Sequence, residues 1–217
     1  MPLIERRSEM KTILCYGDSN TYGYEPNMGR RYPSALRWPD ALQTMLGPEY
    51  SVIPEGLMGR TTAFTRKGLA WLNGLSTIDP ILRTHIPIDY LIFMLGTNDC
   101  CAELGLSAEE ITAGLEKLID RAMAHLREVQ DNEAKIIIIA PKAMDERVLR
   151  GSFSDEVDEK GMHVSQELPA LYKKLAERKG CGFTDIEDII ELSETDGEHF
   201  RPEGGQKLAR KLKEQFF

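Results

Sequence analysis

Three short segments of this sequence carry the residue types needed for acyl-transfer chemistry. Ser19 closes Gly17-Asp18-Ser19, Asn98 stands in Gly96-Thr97-Asn98-Asp99, and Asp196 and His199 bracket Asp196-Gly197-Glu198-His199. A serine hydroxyl is a poor nucleophile until a base removes its proton. Histidine suits that base because its free pKa lies near neutrality. The imidazole in turn needs an acceptor at its other nitrogen, which fixes the tautomer. The tetrahedral intermediate needs hydrogen-bond donors around its new oxyanion.

Elimination among four histidines selects the base. His85 precedes a strand, so it falls at the wrong end of a sheet. His125 lies inside an amphipathic helix, and His163 lies near a helix start beyond a charged loop. His199 stands just before the last helix, and its separation of three residues from Asp196 lets the two side chains meet within one turn. Each motif alone is weak. Gly-Asp-Ser is also an ordinary turn and N-cap sequence, Gly-Thr-Asn-Asp also ends strands, and Asp-x-x-His arises by chance. Their order and placement along the chain carry the argument.

Placement depends on the elements. Short apolar runs at 12–16, 50–54, 89–95, 135–140 and 182–186 read as strands. Runs such as Ile136-Ile137-Ile138-Ile139 are apolar on both faces, as in a parallel sheet covered by helices. Helical periodicity fills the gaps. Ser107 and Glu110 form a capping box ahead of an apolar stripe from Ile111 to Val129. Further helices are expected at 40–46, at 164–179 and from about Pro202 onward, where proline suits a first turn. The expected fold class is α/β, with a mostly parallel five-stranded sheet in one domain, 1–217. In such sheets ligands bind beyond the carboxyl ends of the strands. Asp18 and Ser19, then Gly59, Arg60 and Thr61, then Thr97, Asn98 and Asp99, and finally Asp196 and His199 therefore converge on one rim. The charged stretch 142–161 follows a strand end. It is expected either to overhang that rim or to be a solvated surface loop.

On these residues the chain resembles the SGNH (GDSL) hydrolase family, whose four letters fall on Ser19, Gly59, Asn98 and His199. The segments G-D-S-N-T-Y-G-Y, L-R-W, V-I-P-E-G-L-M-G-R-T-T and M-L-G-T-N-D are similar to the mycobacterial arylesterase and acyltransferase branch. Tyr22 and Tyr24 stand where that branch commonly has tryptophans, and Asn20 where it has an apolar residue. The resemblance implies a flavodoxin-like three-layer α/β/α sandwich. It also implies a serine esterase acting on small short-chain esters without metal or cofactor, with possible acyl transfer. It implies a triad of Ser19, His199 and Asp196, and an oxyanion hole made of the Ser19 and Gly59 backbone N–H groups and the Asn98 amide. Asp18 is then expected to hold the nucleophile turn. Asp18, Tyr22, Tyr24, Trp38 and Arg60 are candidate substrate contacts, set against core packing for Trp38 and an ion pair for Arg60. Members of the branch assemble into homo-oligomers, which is the expectation here. Carbohydrate acetylesterase and thioesterase activities use the same triad, and a flavodoxin-like binding module is the non-enzymatic alternative.

Bulk properties narrow the partners. A net charge of −8 and a pI of about 5.2 oppose binding to phosphate backbones, so no nucleic acid partner is expected. No apolar run approaches the roughly 20 residues of a membrane helix. The N-terminus, MPLIERRSEM, lacks the apolar centre of a signal peptide. The four cysteines form no Cys-x-x-Cys pair, so reduced thiols in a cytoplasmic protein are expected.

Overall fold

In the computed structural model, which describes residues 10–217, the chain alternates strand and helix around one central sheet. In chain order the elements are β1 (Lys11–Gly17), α1 (Ser19–Tyr22), β2 (Tyr24–Glu25), β3 (Arg30–Arg31), α2 (Trp38–Leu46), β4 (Tyr50–Gly56), α3 (Gly74–His85), β5 (Tyr90–Met94), α4 (Ala108–Val129), β6 (Lys135–Ile139), α5 (Glu159–Lys179), β7 (Gly182–Thr184) and α6 (Gly204–Phe216). The sheet runs β4-β1-β5-β6-β7 and every pairing in it is parallel. Counted by sheet strands alone this is the order 2-1-3-4-5 of flavodoxin-like folds. The stretch read as lacking a signal peptide lies, except for Met10, outside the described residues.

Alternation along each strand builds two cores, because successive side chains point to opposite faces. On one face Leu14, Tyr16, Leu91, Phe93, Ile136 and Ile138 pack under α3, α4 and α5. On the other, Ile13, Cys15, Ile92, Met94, Ile137 and Ile139 pack under α2 and α6. The three inner strands are therefore apolar throughout, as the sequence pattern requires. β4 lies at the edge, which is where a sheet tolerates Pro54.

The strands fall where the apolar runs place them, and the capping box on α4 is present. Ser107 Oγ accepts the Glu110 N–H at 3.3 Å, while the Ser107 N–H donates to Glu110 at 2.8 Å. Two helices begin earlier than expected. α2 starts at Trp38, and α5 starts at Glu159 because Asp158 caps it, accepting the Gly161 N–H at 2.8 Å. α3 has no counterpart in the sequence reading. Pro80 in its interior, which removes a backbone donor, hides a helix capped by Asn73 and anchored by Ile78 and Leu82. The β2–β3 ribbon is likewise unexpected. Cys15 is fully buried and Cys181 only partly, and all four thiols are free. Among the described residues no helix is long and apolar enough to cross a membrane.

Candidate active site

The strand order reverses at β1, whose neighbours are β4 and β5, and ligands of such sheets bind in the crevice at that point. Ser19 sits there by virtue of an abrupt turn. β1 ends at Gly17, where a Cβ would meet Thr21 Oγ1 at 2.0 Å, so only glycine lets the chain fold back. Asp18 then caps α1, accepting the Asn20 N–H at 3.0 Å, and Ser19 becomes its first residue. Burial pushes the Asp18 carboxyl up to about 6, with the Asn20 N–H, His199 and Arg60 acting against the rise.

The opposite half of the site is a tight loop. Asp196 Oδ1 accepts the N–H groups of Glu198 (3.2 Å) and His199 (3.1 Å), and Gly197 supplies the left-handed φ of +64° between them. That leaves Asp196 Oδ2 for His199 Nδ1, 2.8 Å away, while His199 Nε2 lies 2.8 Å from Ser19 Oγ. A carboxylate only accepts, so Nδ1 carries the proton and Nε2 is free to accept from the serine hydroxyl. Ser19, His199 and Asp196 are 4%, 2% and 0% exposed, so these bonds operate nearly free of water. Burial alone would lower the His199 pKa. The Asp196 hydrogen bond, with the nearby charges of Glu198, Asp196 and Asp18, outweighs burial and raises it. For Asp196 burial acts upward, and the bond and charge of His199 bring the carboxyl below its ordinary value.

Asn20 clasps the two halves together, a function the sequence reading did not assign. Its side-chain Oδ1 accepts the Phe200 N–H at 3.0 Å and its Nδ2 donates to the Glu198 carbonyl at 3.4 Å. The residue after the serine thus grips the chain on both sides of His199. The only signal in the sequence was an amide side chain directly after the serine of the Gly17-Asp18-Ser19 turn.

The Ser19 and Gly59 amides and the Asn98 side-chain amide are three N–H donors on residues that line one cleft. Among the described residues neither the Ser19 nor the Gly59 amide donates to a backbone carbonyl. Gly59 has φ +79°, a conformation that favours glycine, and a Cβ there would crowd Leu72 at 2.9 Å. The Asn98 Nδ2 donates to the Arg60 carbonyl at 3.1 Å, which fixes the amide and leaves its second hydrogen free. Asp99 ties this turn to the Gly59 loop, accepting the Thr62 N–H at 3.0 Å and the Thr62 hydroxyl at 2.6 Å. Burial pushes the Asp99 carboxyl up to about 7.

Ser19, Gly59, Asn98 and His199 open onto a cleft of about 260 Å³. Met58, Leu69, Leu72, Phe153 and Val157 make its apolar wall, and Thr97, Arg66, Glu156 and Glu198 add polar groups. Phe153, Glu156 and Val157 belong to the stretch 142–161, so that stretch does overhang the rim.

Other expected contacts go elsewhere. Trp38 does not line the cleft; it is 1% exposed and packs between α2 and the sheet. Arg60 is also turned away from the cleft. Its guanidinium lies 4.0 Å from the Tyr16 ring and donates to the carbonyls of Gly17 and Glu55, holding the strand ends. Tyr22 stacks under Arg31 with 4.4 Å between guanidinium and ring, outside the cleft lining. Tyr24 does reach the site, its ring 4.7 Å from that of His199, without being part of the cleft lining. His85 pairs with Glu55, His125 is buried in α4 beside Asp79, and His163 is exposed on α5.

Comparison with known proteins agrees with this geometry. The family model for the GDSL-like lipase/acylhydrolase family matches residues 15–207. No curated protein matches the chain. Among solved structures, a carbohydrate acetylesterase family member from Sinorhizobium meliloti is similar at 33% identity and a TM-score of 0.86, covering 94% of this chain and 96% of that one. The aryl esterase of M. smegmatis is similar at 30% identity and a TM-score of 0.86, covering 95% and 100%. The chain belongs to the GDSL-like lipase/acylhydrolase family and is a carboxylic ester hydrolase.

Proposed function

We propose that this enzyme cleaves small, short-chain carboxylic esters through an acyl-enzyme on Ser19. The carrying observation is the unbroken relay from Ser19 Oγ to His199 to Asp196, with 2.8 Å at each step, at the floor of a cleft of about 260 Å³. That volume suits a small ester better than a long acyl chain.

Ser19 Oγ attacks the ester carbonyl carbon as its proton passes to His199 Nε2. Asp196 holds the ring and stabilises the imidazolium. The carbonyl oxygen becomes an oxyanion and takes hydrogen bonds from the Ser19 and Gly59 N–H groups and from Asn98. The intermediate collapses, His199 gives its proton to the departing alkoxide, and alcohol leaves. Water then attacks the acyl-enzyme with His199 again as base, releasing the acid and regenerating Ser19. An alcohol in place of water would give acyl transfer. Every step uses groups of this chain.

Similarity to an aryl esterase and to a carbohydrate acetylesterase supports esters of either alcohol type. The test is labelling by a fluorophosphonate together with hydrolysis of 4-nitrophenyl acetate. The wild type should label and turn over, and Ser19→Ala should do neither. Turnover by Ser19→Ala at the wild-type rate would refute the assignment.

A further inference from the structure

Arg66 ties three parts of the cleft wall together. It stands in the loop that also carries Gly59, and its guanidinium meets Glu103 at 3.2 Å through Nε and Glu156 at 2.7 Å through Nη1. Glu103 follows the Asn98 turn, and Glu156 belongs to the stretch 142–161 that overhangs the rim. Isolated exposed pairs hold little, because long side chains lose freedom in forming them. Here both acidic partners are placed beforehand. Glu103 also accepts the Lys67 N–H at 2.6 Å, and the Glu156 carbonyl accepts the Ala102 N–H at 2.9 Å. Among the described residues Arg66 is the one lysine or arginine lining the cleft, and its side chain is only 14% exposed.

We infer that Arg66 is a specificity-determining residue whose clamped side chain sets the upper limit on the length of the acyl chain. This rests on the ester hydrolase reading above. In that mechanism His199 protonates the departing alkoxide, which puts the alcohol against the His199 and Phe153 rings, whose centroids are 5.4 Å apart. The acyl chain is left the part of the cleft lined by Leu69, Leu72, Cys101 and Arg66. An acetyl group is small enough to stop at the leucines. A longer alkyl chain reaches the guanidinium. It must then push that group off two carboxylates or strip water from the ion pairs, and an apolar ligand offers no bond in return. Short acids are thus selected by exclusion of longer ones at Arg66.

The experiment compares 4-nitrophenyl acetate with 4-nitrophenyl hexanoate, which share an alcohol and differ in the acyl chain. Each is assayed with wild type, Arg66→Ala and Arg66→Lys. The wild type should favour the acetate. In Arg66→Ala, kcat/KM for the hexanoate relative to the acetate should rise about tenfold or more, the scale on which closed pockets discriminate methylenes. Arg66→Lys, which keeps a cation within reach of the carboxylates, should stay near the wild-type ratio. Turnover of the acetate shows that each variant is folded. Should Arg66→Ala not fold, Glu156→Gln loosens the clamp without removing the side chain, and a smaller rise in the same ratio is expected. A merely structural role would lower both esters together in Arg66→Ala, and that unchanged ratio would overturn the inference. So would a gain confined to hexyl acetate over ethyl acetate, which would put Arg66 on the alcohol side. If the wild type favours the acetate and Arg66→Ala keeps that preference, this inference alone fails. If the wild type takes both chain lengths equally, the short-chain reading fails, and this inference with it. If it neither labels with a fluorophosphonate nor hydrolyses either ester, the hydrolase reading fails as well.

Discussion

The two sides of the cleft are built on opposite plans. On the side of Ser19, His199 and Asp196, each triad group has a partner, and the partners themselves are held: both Asp196 oxygens are bonded, and Asn20 brackets His199 from either flank. The rest of the lining, the Met58–Leu72 region with Phe153 and Val157, is mainly apolar, with Glu198 beside His199 at its border. Saturated polar networks in a water-poor site specify one geometry. An apolar wall is non-directional and admits more than one ligand shape. Under the proposed function, the reaction is set by the first side and the choice of ester by the second. Substitutions on the first side should depress all substrates together.

The largest break should come from Asp196→Asn. The variant keeps the size of the side chain, but its amide can present a donor to Nδ1 and so favour the tautomer in which Nε2 no longer accepts from Ser19. Turnover should fall about ten-thousandfold, as for orienting carboxylates in serine hydrolases generally. Steady-state kinetics on two unrelated esters would check this, and unequal losses on the two would contradict the division drawn above.

Asn98→Ala should cost less, about a hundred- to a thousandfold in kcat with little change in KM, because in the proposed mechanism the amide bonds the oxyanion and not the ground-state ester. A variant that altered KM alone would place Asn98 on the wall side of the comparison.

How much of this was legible in the sequence differs between the same two sides. Ser19, Asn98, Asp196 and His199 could be found because each sits at a strand end or before the last helix, and strand ends are set by apolar runs that the chain shows plainly. The sheet was legible for the same reason. The wall was legible only where the charged stretch 142–161 follows a strand end, because the rest is assembled from turns whose direction no periodicity encodes. Trp38 illustrates the failure: an aromatic near the site reads as a pocket residue, but the turn of α2 on which it stands faces the sheet. Arg60 is adjacent in sequence to Gly59, which lines the cleft, yet its side chain reaches the Tyr16 ring and the Gly17 carbonyl instead. Glu198 lay inside a recognised motif as a spacer, and only its burial beside His199 distinguishes it. α3 was lost to Pro80, a local rule that tertiary packing of Ile78 and Leu82 overrides.

A smaller effect is expected where the two halves of the triad are clasped. Asn20→Leu would leave the Phe200 N–H and the Glu198 carbonyl buried without a partner, at about 1–3 kcal/mol in stability. It would also loosen His199 relative to Ser19, with a loss in kcat on the order of tenfold. Asn20→Asp separates the two bonds, since it can still accept from Phe200 but cannot donate to Glu198. Thermal melts and kcat measured on both variants would check this. A stability loss with unchanged kcat would show that the clasp serves the fold alone.

The smallest effect concerns pH and touches both sides at once. His199 must be neutral to accept the Ser19 proton, so kcat/KM should rise with pH through a value above the ordinary 6.5 of histidine. Glu198 is among the charges that hold that value up, after burial, which opposes it, and the Asp196 hydrogen bond. Glu198→Gln should therefore move the rising limb toward lower pH, for good and poor esters alike. Stability should run the other way. A raised histidine contributes stability that is full below 6.5 and is lost as pH climbs through its folded value. Asp18, Asp99 and Glu198, raised by burial to about 6, about 7 and about 7, also favour the folded state most at low pH, losing ground from about 4 upward. Asp196, lowered, opposes them and contributes above its ordinary 3.8, its share vanishing only as pH falls through its folded value. Melting temperature should thus decline from pH 5 to 8 while kcat/KM increases, and the decline should be shallower in Glu198→Gln because one of the raised carboxyls is gone. A rising limb left in place by that substitution would mean that the charge at the border of the wall does not reach the base.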